Sequence, residues 1–199
     1  PTLENMPRNP ARQSTDRVFT IWRRRHGWGI KATVKYCSGG KQIIMHRPIR
    51  RKERATATGE AALLLEQCSY GTLATAGSDG QPYATPLSYV FLDNHIYLHC
   101  APEGRKLDNI RQNPAVSFCV VGHTRTLPEQ FSTIYESAIV SGIASEAAGA
   151  EKQHALEALI NKYAPEFSDR GLSCISDKID RTVVIKIKFL HMSGKARRN

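Results

Sequence analysis

The sequence predicts a mainly β domain, an antiparallel barrel of six strands with flanking helices, behind a basic N-terminal arm. Three observations predict it. From Gly59 onward, short apolar or alternating runs are set apart by turn signals such as Ser78-Asp79-Gly80 and Asp93-Asn94. Helical periodicity is confined to three segments of that region. Most strands follow one another through turns too short for a parallel crossover, and an antiparallel sheet of that kind removes its exposed edges by closing into a barrel. The 199 residues, 41% of them hydrophobic and 23% charged, suffice for one core and leave little for a second. The longest clean apolar run, Ala61 to Leu65, is far below the ~18 residues of a membrane span.

Each element follows in order. Glu60 to Gln67 carries Ala61, Leu64 and Leu65 at helical spacing. Tyr70 to Ala76 reads as the first strand, and Tyr83 to Leu92 as the second, with Pro82 and Pro86 marking it as an edge or a bulge. Asp93-Asn94 is a two-residue hairpin turn into a third strand, His95 to Cys100. Gly104 to Arg111 is a short helix with Leu107 and Ile110 on one side, stopped at Asn113-Pro114. Ala115 to Val121 is the fourth strand, and Ser132 to Ala147 contains a long fifth with Tyr135, Ser137, Ile139 and Ser141 on one face. Leu156, Leu159, Ile160 and Tyr163 place a helix over Glu151 to Tyr163. Pro165 to Asp180 is weakly patterned and is expected to be a loop with a helical turn. Thr182 to Leu190 is the sixth strand, alternating Val183, Ile185, Ile187 and Phe189 with Lys186 and Lys188.

Charge divides the chain. The net charge is +10, yet residues 1–54 hold 14 Lys/Arg against 3 Asp/Glu, while residues 55–199 hold 14 against 15. Nucleic-acid binding, which a uniformly basic body would suggest, therefore applies only to the arm and is the weakest of the functional readings. Residues 1–44 are expected to be a basic, poorly ordered extension upstream of a natural start at Met45, with residues 45–199 as the folded domain. Within the arm, Val18 to Trp22 could pair as a short strand, and Trp22 or Trp28 could stack on a base. Five cysteines, with no Cys-x-x-Cys, argue against a disulfide framework or a structural zinc site and fit a reducing, cytoplasmic setting.

The common catalytic signatures are missing. The chain has no Gly-x-Ser-x-Gly, no Gly-x-Gly-x-x-Gly after a strand and no Gly-Lys-Ser/Thr loop. His95 and His99 share a strand face about 13 Å apart, too far to chelate one ion, so no metal site is expected. What remains is the passage from His99-Cys100 through Glu103-Gly104-Arg105-Lys106 into a helix. A strand ends, a glycine opens the backbone, and a forked guanidinium and an ammonium begin the helix beside its free N–H groups. Cations at a helix start oppose the helix dipole, so a bound anion such as a phosphate monoester suits this position better than solvent does. Solvated surface charge is the alternative.

Residues 45–195 resemble the pyridoxamine 5′-phosphate oxidase-like FMN-binding split barrels, and among them the 5-nitroimidazole resistance (Nim-type) reductase-like branch. The stretches that carry the resemblance are Arg50-Arg51-Lys52-Glu53-Arg54, Gly71 to Thr75, Asp79 to Tyr89, Ile96 to Ala101, Glu103 to Ile110, Asn113-Pro114, Tyr135-Glu136-Ser137 and Ser193-Gly194-Lys195. The resemblance implies a six-stranded split barrel that forms a homodimer, with FMN in each of two clefts between the subunits. It implies that Arg105 and Lys106 hold the FMN phosphate and that Thr85, Pro86, Leu87, Ser88 and Tyr89 line the isoalloxazine through backbone groups. His99 and Cys100 would lie beside the flavin, and Ser137 would contact it from the partner-side strand. Arg50, Arg51 and Arg54 match a basic N-terminal signature that either caps the barrel or touches the cofactor. Oxidases acting on pyridoxamine phosphate end in a segment bearing Trp and Arg, and this chain has no tryptophan after Trp28, which argues against vitamin B6 as substrate.

Two classes of activity remain open on this basis. One is an FMN-dependent oxidoreductase that passes electrons from a reduced nicotinamide or flavin donor to a small acceptor such as a nitroaromatic, with His99 as the candidate catalytic proton donor. The other is a flavin- or haem-type cofactor binder without turnover.

Overall fold

Strand after strand from Tyr70 onward pairs with an antiparallel neighbour. In this computed structural model the described residues are the backbone of 18–25, 28–37 and 40–45 and the whole of 48–198. The chain forms two compact units, residues 1–48 and 49–199. In the first, β1 (Val18–Arg25), β2 (Trp28–Cys37) and β3 (Gly40–Met45) form an antiparallel meander, with Trp22 opposite Lys31 and Lys35 opposite Gln42. The segment Val18 to Trp22, which the sequence allows as a strand, lies inside β1. Within the expected extension, residues 1–17, 26–27 and 38–39 and the Trp22 and Trp28 side chains lie outside the described residues.

The second unit begins with a single helical turn at Lys52–Arg54 and then runs β4 (Ala55–Thr56), α1 (Thr58–Gln67), β5 (Tyr70–Ala76), β6 (Pro82–Ser88), β7 (Val90–Leu92) and β8 (His95–Cys100). It continues through α2 (Arg105–Gln112), β9 (Ala115–Leu127), β10 (Ser132–Ala147), α3 (Gly149–Tyr163), α4 (Ser168–Lys178) and β11 (Val183–Arg197). These strands make one mainly antiparallel sheet in the order β6-β5-β9-β10-β11-β8-β7, with β4 on β11.

The sheet has eight strands rather than the expected six, and its hydrogen bonding does not close. The difference has two sources. The expected second strand breaks at Tyr89: residues 82–88 pair with β5, whereas residues 90–92 pair with β8, so one stretch of chain supplies both ends of the sheet. The two-residue β4 adds the eighth strand. Tyr89 turns away from both ladders because its ring is fully buried, edge-on to Phe118 at 4.8 Å, with its hydroxyl donating to the Leu65 carbonyl at 2.6 Å. Gly71 makes room for this arrangement, since a Cβ there would lie 2.2 Å from the Phe118 ring.

Leu73, Ile96, Leu98, Phe118, Val120, Val140, Ile185 and Ile187 fill the concave side, closed by Leu65 of α1 and Leu107 of α2. A second cluster lies outside β8 and β11, where Tyr97 and Val184 meet Leu156 and Leu159 of α3 and Ile175 of α4. Strands covered on both faces read as continuous apolar runs, which is why Ile96, Tyr97 and Leu98 are all buried in succession. Tyr97 donates to Glu151 at 2.9 Å, and Lys186 also binds that carboxylate.

Three further boundaries differ from expectation by more than two residues. β9 runs on to Leu127 instead of ending at Val121. β11 continues past Leu190 to Arg197, pairing with Tyr135 to Ser141. The inward positions there are Met192, Gly194 and Ala196, so a single methionine is all the apolar pattern the buried face offers. The expected loop 165–180 contains α4, whose Leu172, Ile175 and neighbouring Ile179 follow helical spacing, and Gly171 lets it approach Ile160 closely.

Tyr163, in the last turn of α3, ties this layer to the sheet. Its hydroxyl accepts from the Tyr89 N–H at 2.9 Å and lies within hydrogen-bond reach of the Ser69 and Tyr89 carbonyls at 2.5 and 2.8 Å. Tyr163→Phe leaves the Tyr89 amide without its partner, an expected loss of about 1–3 kcal/mol. It should lower the urea midpoint with the m-value unchanged.

Candidate functional site

The passage from β8 into α2 has the geometry of an anion cradle. Gly104 precedes the helix at φ 126°, a conformation that favours glycine, and its carbonyl accepts from the Leu107 and Asp108 amides at 2.9 and 3.2 Å. No side chain caps the helix start, and Arg105 and Lys106 are its first two residues, so their side chains and the helix-start amides gather positive charge at one place. The Arg105 guanidinium lies 4.9 Å from the centre of the Tyr83 ring on β6. Asn109, one turn on, is buried and donates to Thr75 Oγ1 at 3.0 Å, fixing α2 against β5.

On β6, Tyr83 and Thr85 share a face two residues apart, and Thr85 sits opposite Leu73. Thr85 Oγ1 is buried and, among the described residues, is the side-chain polar atom left without a hydrogen-bond partner. An orphaned hydroxyl of this kind is costly unless something else satisfies it. β6 is also the terminal strand of the sheet path, and Pro82 and Pro86 bring no amide to it. These features fit a phosphorylated cofactor lying along β6 with its phosphate at α2.

The other expected contacts are distributed more widely. Ser88 and His99 do come together, lining a largely apolar cleft of about 490 Å³ with Leu156, Tyr163, Cys174 and Lys178. His99 stands exposed at this cleft, but the protein around it strips enough water to lower its imidazole pKa below the ordinary value. Cys100 points the other way, against the core, where burial raises its thiol pKa and nearby Lys106 only partly offsets the effect. Such a thiol is protonated at neutral pH and is a poor nucleophile. Leu87 packs against the same core. Tyr89 has its side chain, amide and carbonyl all engaged within the protein.

Ser137 lies on β10, separated from β6 by β5 and β9, with its hydroxyl 3.5 Å from the Lys195 carbonyl. It therefore does not join Arg105 and Lys106 within one chain. Arg50, Arg51 and Arg54 gather with Lys195 and Arg197 around a separate hollow of about 580 Å³. None of the candidate site residues lies on α3 or α4, and Leu156, Leu159, Ile160 and Tyr163, which line the cleft, are expected from the sequence only as a helix face. The spacing of Leu172, Ile175 and Ile179 is the signal that could have found α4. Among the described residues no group of three or more His, Cys, Asp or Glu could hold a metal ion. No helix among them is long and apolar enough to cross a membrane.

The family model for pyridoxamine 5′-phosphate oxidase matches residues 57–196. No curated protein is significantly similar in sequence. Solved structures share the fold. An FAD-binding protein of Mesorhizobium loti is 26% identical, with 72% of this chain and 97% of that chain covered at a TM-score of 0.52. A candidate 5-nitroimidazole antibiotic resistance protein of Bacteroides thetaiotaomicron is 20% identical over 93% of this chain and 95% of its own, at 0.55. An FAD- and heme-binding protein of Mycobacterium smegmatis is 18% identical over 74% and 75%, at 0.61.

Proposed function

The chain belongs to the pyridoxamine 5′-phosphate oxidase family, and from that membership we propose that it is an FMN-dependent oxidoreductase reducing a small acceptor of the nitroaromatic kind. The observation that carries the proposal is the conjunction at one margin of the sheet: an uncapped helix start bearing Arg105 and Lys106, with Arg105 over Tyr83, and the orphaned Thr85 hydroxyl two residues along the same strand face. A bound flavin supplies the redox chemistry, accepting electrons from a reduced donor and passing them on.

The chain's own residues do the rest. Arg105 and Lys106 neutralise a phosphate, the guanidinium through its planar fork and the ammonium as a point charge. Thr85 donates its hydroxyl to the cofactor, and the backbone of β6 aligns the ring system. The apolar walls from Leu156, Leu159 and Ile175 exclude water from the acceptor cleft and favour a flat, weakly polar substrate. His99 at that cleft delivers the proton that accompanies reduction. Two copies pair so that Ser137 of each reaches the cofactor of the other, in a cytoplasmic setting. Residues 1–44 form an extension not needed for this chemistry.

Membership of the fold alone would equally suit a flavin or haem carrier. The deciding experiment is reconstitution with FMN followed by steady-state assay of a reduced nicotinamide with a 5-nitroimidazole. Turnover of both supports the oxidoreductase; tight flavin binding with no turnover leaves a carrier.

Thr85→Val offers a finer test of the site. Replacing the orphaned hydroxyl with a methyl should stabilise the cofactor-free protein by about 1 kcal/mol, because an unsatisfied buried group is removed. FMN affinity should fall about tenfold in a fluorescence titration, the loss of one hydrogen bond of about 1.4 kcal/mol.

A further inference from the structure

The hollow of about 580 Å³ at the far end of β11 is lined by five cations: Arg50, Arg51, Arg54, Lys195 and Arg197. Three parts of the chain bring them together. The pairing of Ala55 with Lys195 sets the helical turn ending at Arg54 against β11. The pairing of Tyr135 with Arg197 sets the β10 end beside them. The tip of the β9–β10 hairpin then adds Gln130, Phe131 and Ser132.

Among the described residues no acidic side chain lines the hollow, although Glu53, Glu129 and Glu136 lie close in sequence. The cations crowd a neighbouring phenol too: burial acts to raise the Tyr135 pKa, but hydrogen bonds from Lys195 and Arg54 outweigh it and bring the pKa below its usual value. Like charges gathered this closely repel one another, and an anionic ligand relieves that repulsion.

The charge is local. Residues 49–199 carry 18 Lys/Arg against 16 Asp/Glu, so this unit is near neutral and lacks the extended basic track that a nucleic-acid backbone follows. A compact, multiply charged ligand fits instead. Lys195 and Arg197 alternate along one face of β11, about 7 Å apart, with Arg54 about one strand spacing away. That spread serves two separated phosphate groups better than one. Phe131 stands almost fully exposed at the tip, at 98% relative accessibility and in a left-handed conformation at φ 48°. An aromatic ring held out at the rim of a phosphate site is placed to stack on a base. Gln130 and Ser132 add neutral hydrogen-bonding groups beside it.

We propose that this hollow binds the bis-phosphorylated nucleotide end of the electron donor, and so selects NADPH over NADH. The identification of the ligand as the donor rests on the oxidoreductase reading above; the binding itself does not. The test is isothermal titration of the full-length protein with adenosine 2′,5′-bisphosphate, in the wild type and in Arg51→Ala/Lys195→Ala. Expected are binding that weakens steeply between 50 mM and 500 mM salt, at least tenfold weaker binding in the double variant, and at least tenfold preference over 5′-AMP. In the coupled assay the double variant should raise KM for NADPH at least tenfold while KM for NADH stays put, with its flavin absorbance retained.

Absence of binding at millimolar ligand, equal affinity for 5′-AMP, or tighter binding of a single-stranded oligonucleotide would each overturn the proposal. Should the double variant misfold, the salt dependence and the comparison with 5′-AMP in the wild type still decide it. A colourless protein that binds the bisphosphate sinks the flavin reading and leaves this site standing, so the two failures are distinguishable.

Discussion

Arg105→Ala/Lys106→Ala is expected to purify without the flavin absorbance at about 450 nm that the proposed function predicts for the wild type, and to take up added FMN at least a hundredfold more weakly. Each cation supplies a charge-assisted hydrogen bond to phosphate worth about 1.5–3 kcal/mol. Two together correspond to a factor of about 10² to 10⁴ in affinity. Neither side chain is needed for the fold: Arg105 is exposed and Lys106 half-buried, and the helix is anchored by Leu107, Asn109 and Ile110 on its other side. Removing two cations from a helix start also relieves an unfavourable interaction with the helix dipole. The cofactor-free variant should therefore melt no lower than the cofactor-free wild type, while the holo wild type gains stability from bound FMN that the variant cannot gain.

The control is the basic hollow at the other end of the sheet. Arg51→Ala/Lys195→Ala removes the same number of charges, yet should leave the absorbance intact. A variant at Arg105 and Lys106 that keeps its colour would move the phosphate away from α2, and loss of colour in both variants would point to net charge rather than to a site.

How much of this was legible beforehand depends on what each element buries. β5, β8 and β10 have the bounds expected of them, because their buried residues alternate or run together in a way the sequence displays: Gly71, Leu73 and Thr75 on β5, then Ile96 to Leu98 on β8. The break at Tyr89 was not legible, since Tyr83 to Leu92 reads as one strand until the Tyr89 ring is seen packed on Phe118. The end of β11 was hidden by its small inward residues, Gly194 and Ala196. At the site, the Gly104-Arg105-Lys106 start could be recognised locally because all its parts are neighbours in sequence. Ser88 and His99 lie on separate strands, and the cleft they share is walled by α3 and by α4, whose pattern is diluted by Ser168, Asp169, Arg170 and Gly171. Long-range assembly, rather than local propensity, made that cleft.

His99 carries the second large effect. Its imidazole, with its pKa lowered by desolvation, is neutral at pH 7 and takes up a proton only below about 6.5, the ordinary histidine value. If it delivers the proton that accompanies acceptor reduction, the rate constant for that half-reaction must rise as pH falls and level off below the shifted pKa. His99→Gln keeps a hydrogen-bonding group of similar size but cannot titrate. Its rate should lie about 10² to 10⁴ below wild type at pH 6, with a flat profile and an undisturbed flavin spectrum. Reduction of the flavin by the donor, which draws on no proton from this residue, should change little. Stability offers an independent sign. A histidine with a depressed folded-state pKa contributes stability that is fully present above the unfolded value and is lost as pH falls through the folded one. Wild type should thus lose stability on the acid side of about pH 6.5 in a way that His99→Gln does not. A variant that removes the acid-side stability loss but leaves the rate profile unchanged would make His99 a desolvated structural residue, and the proton would then have to come from solvent.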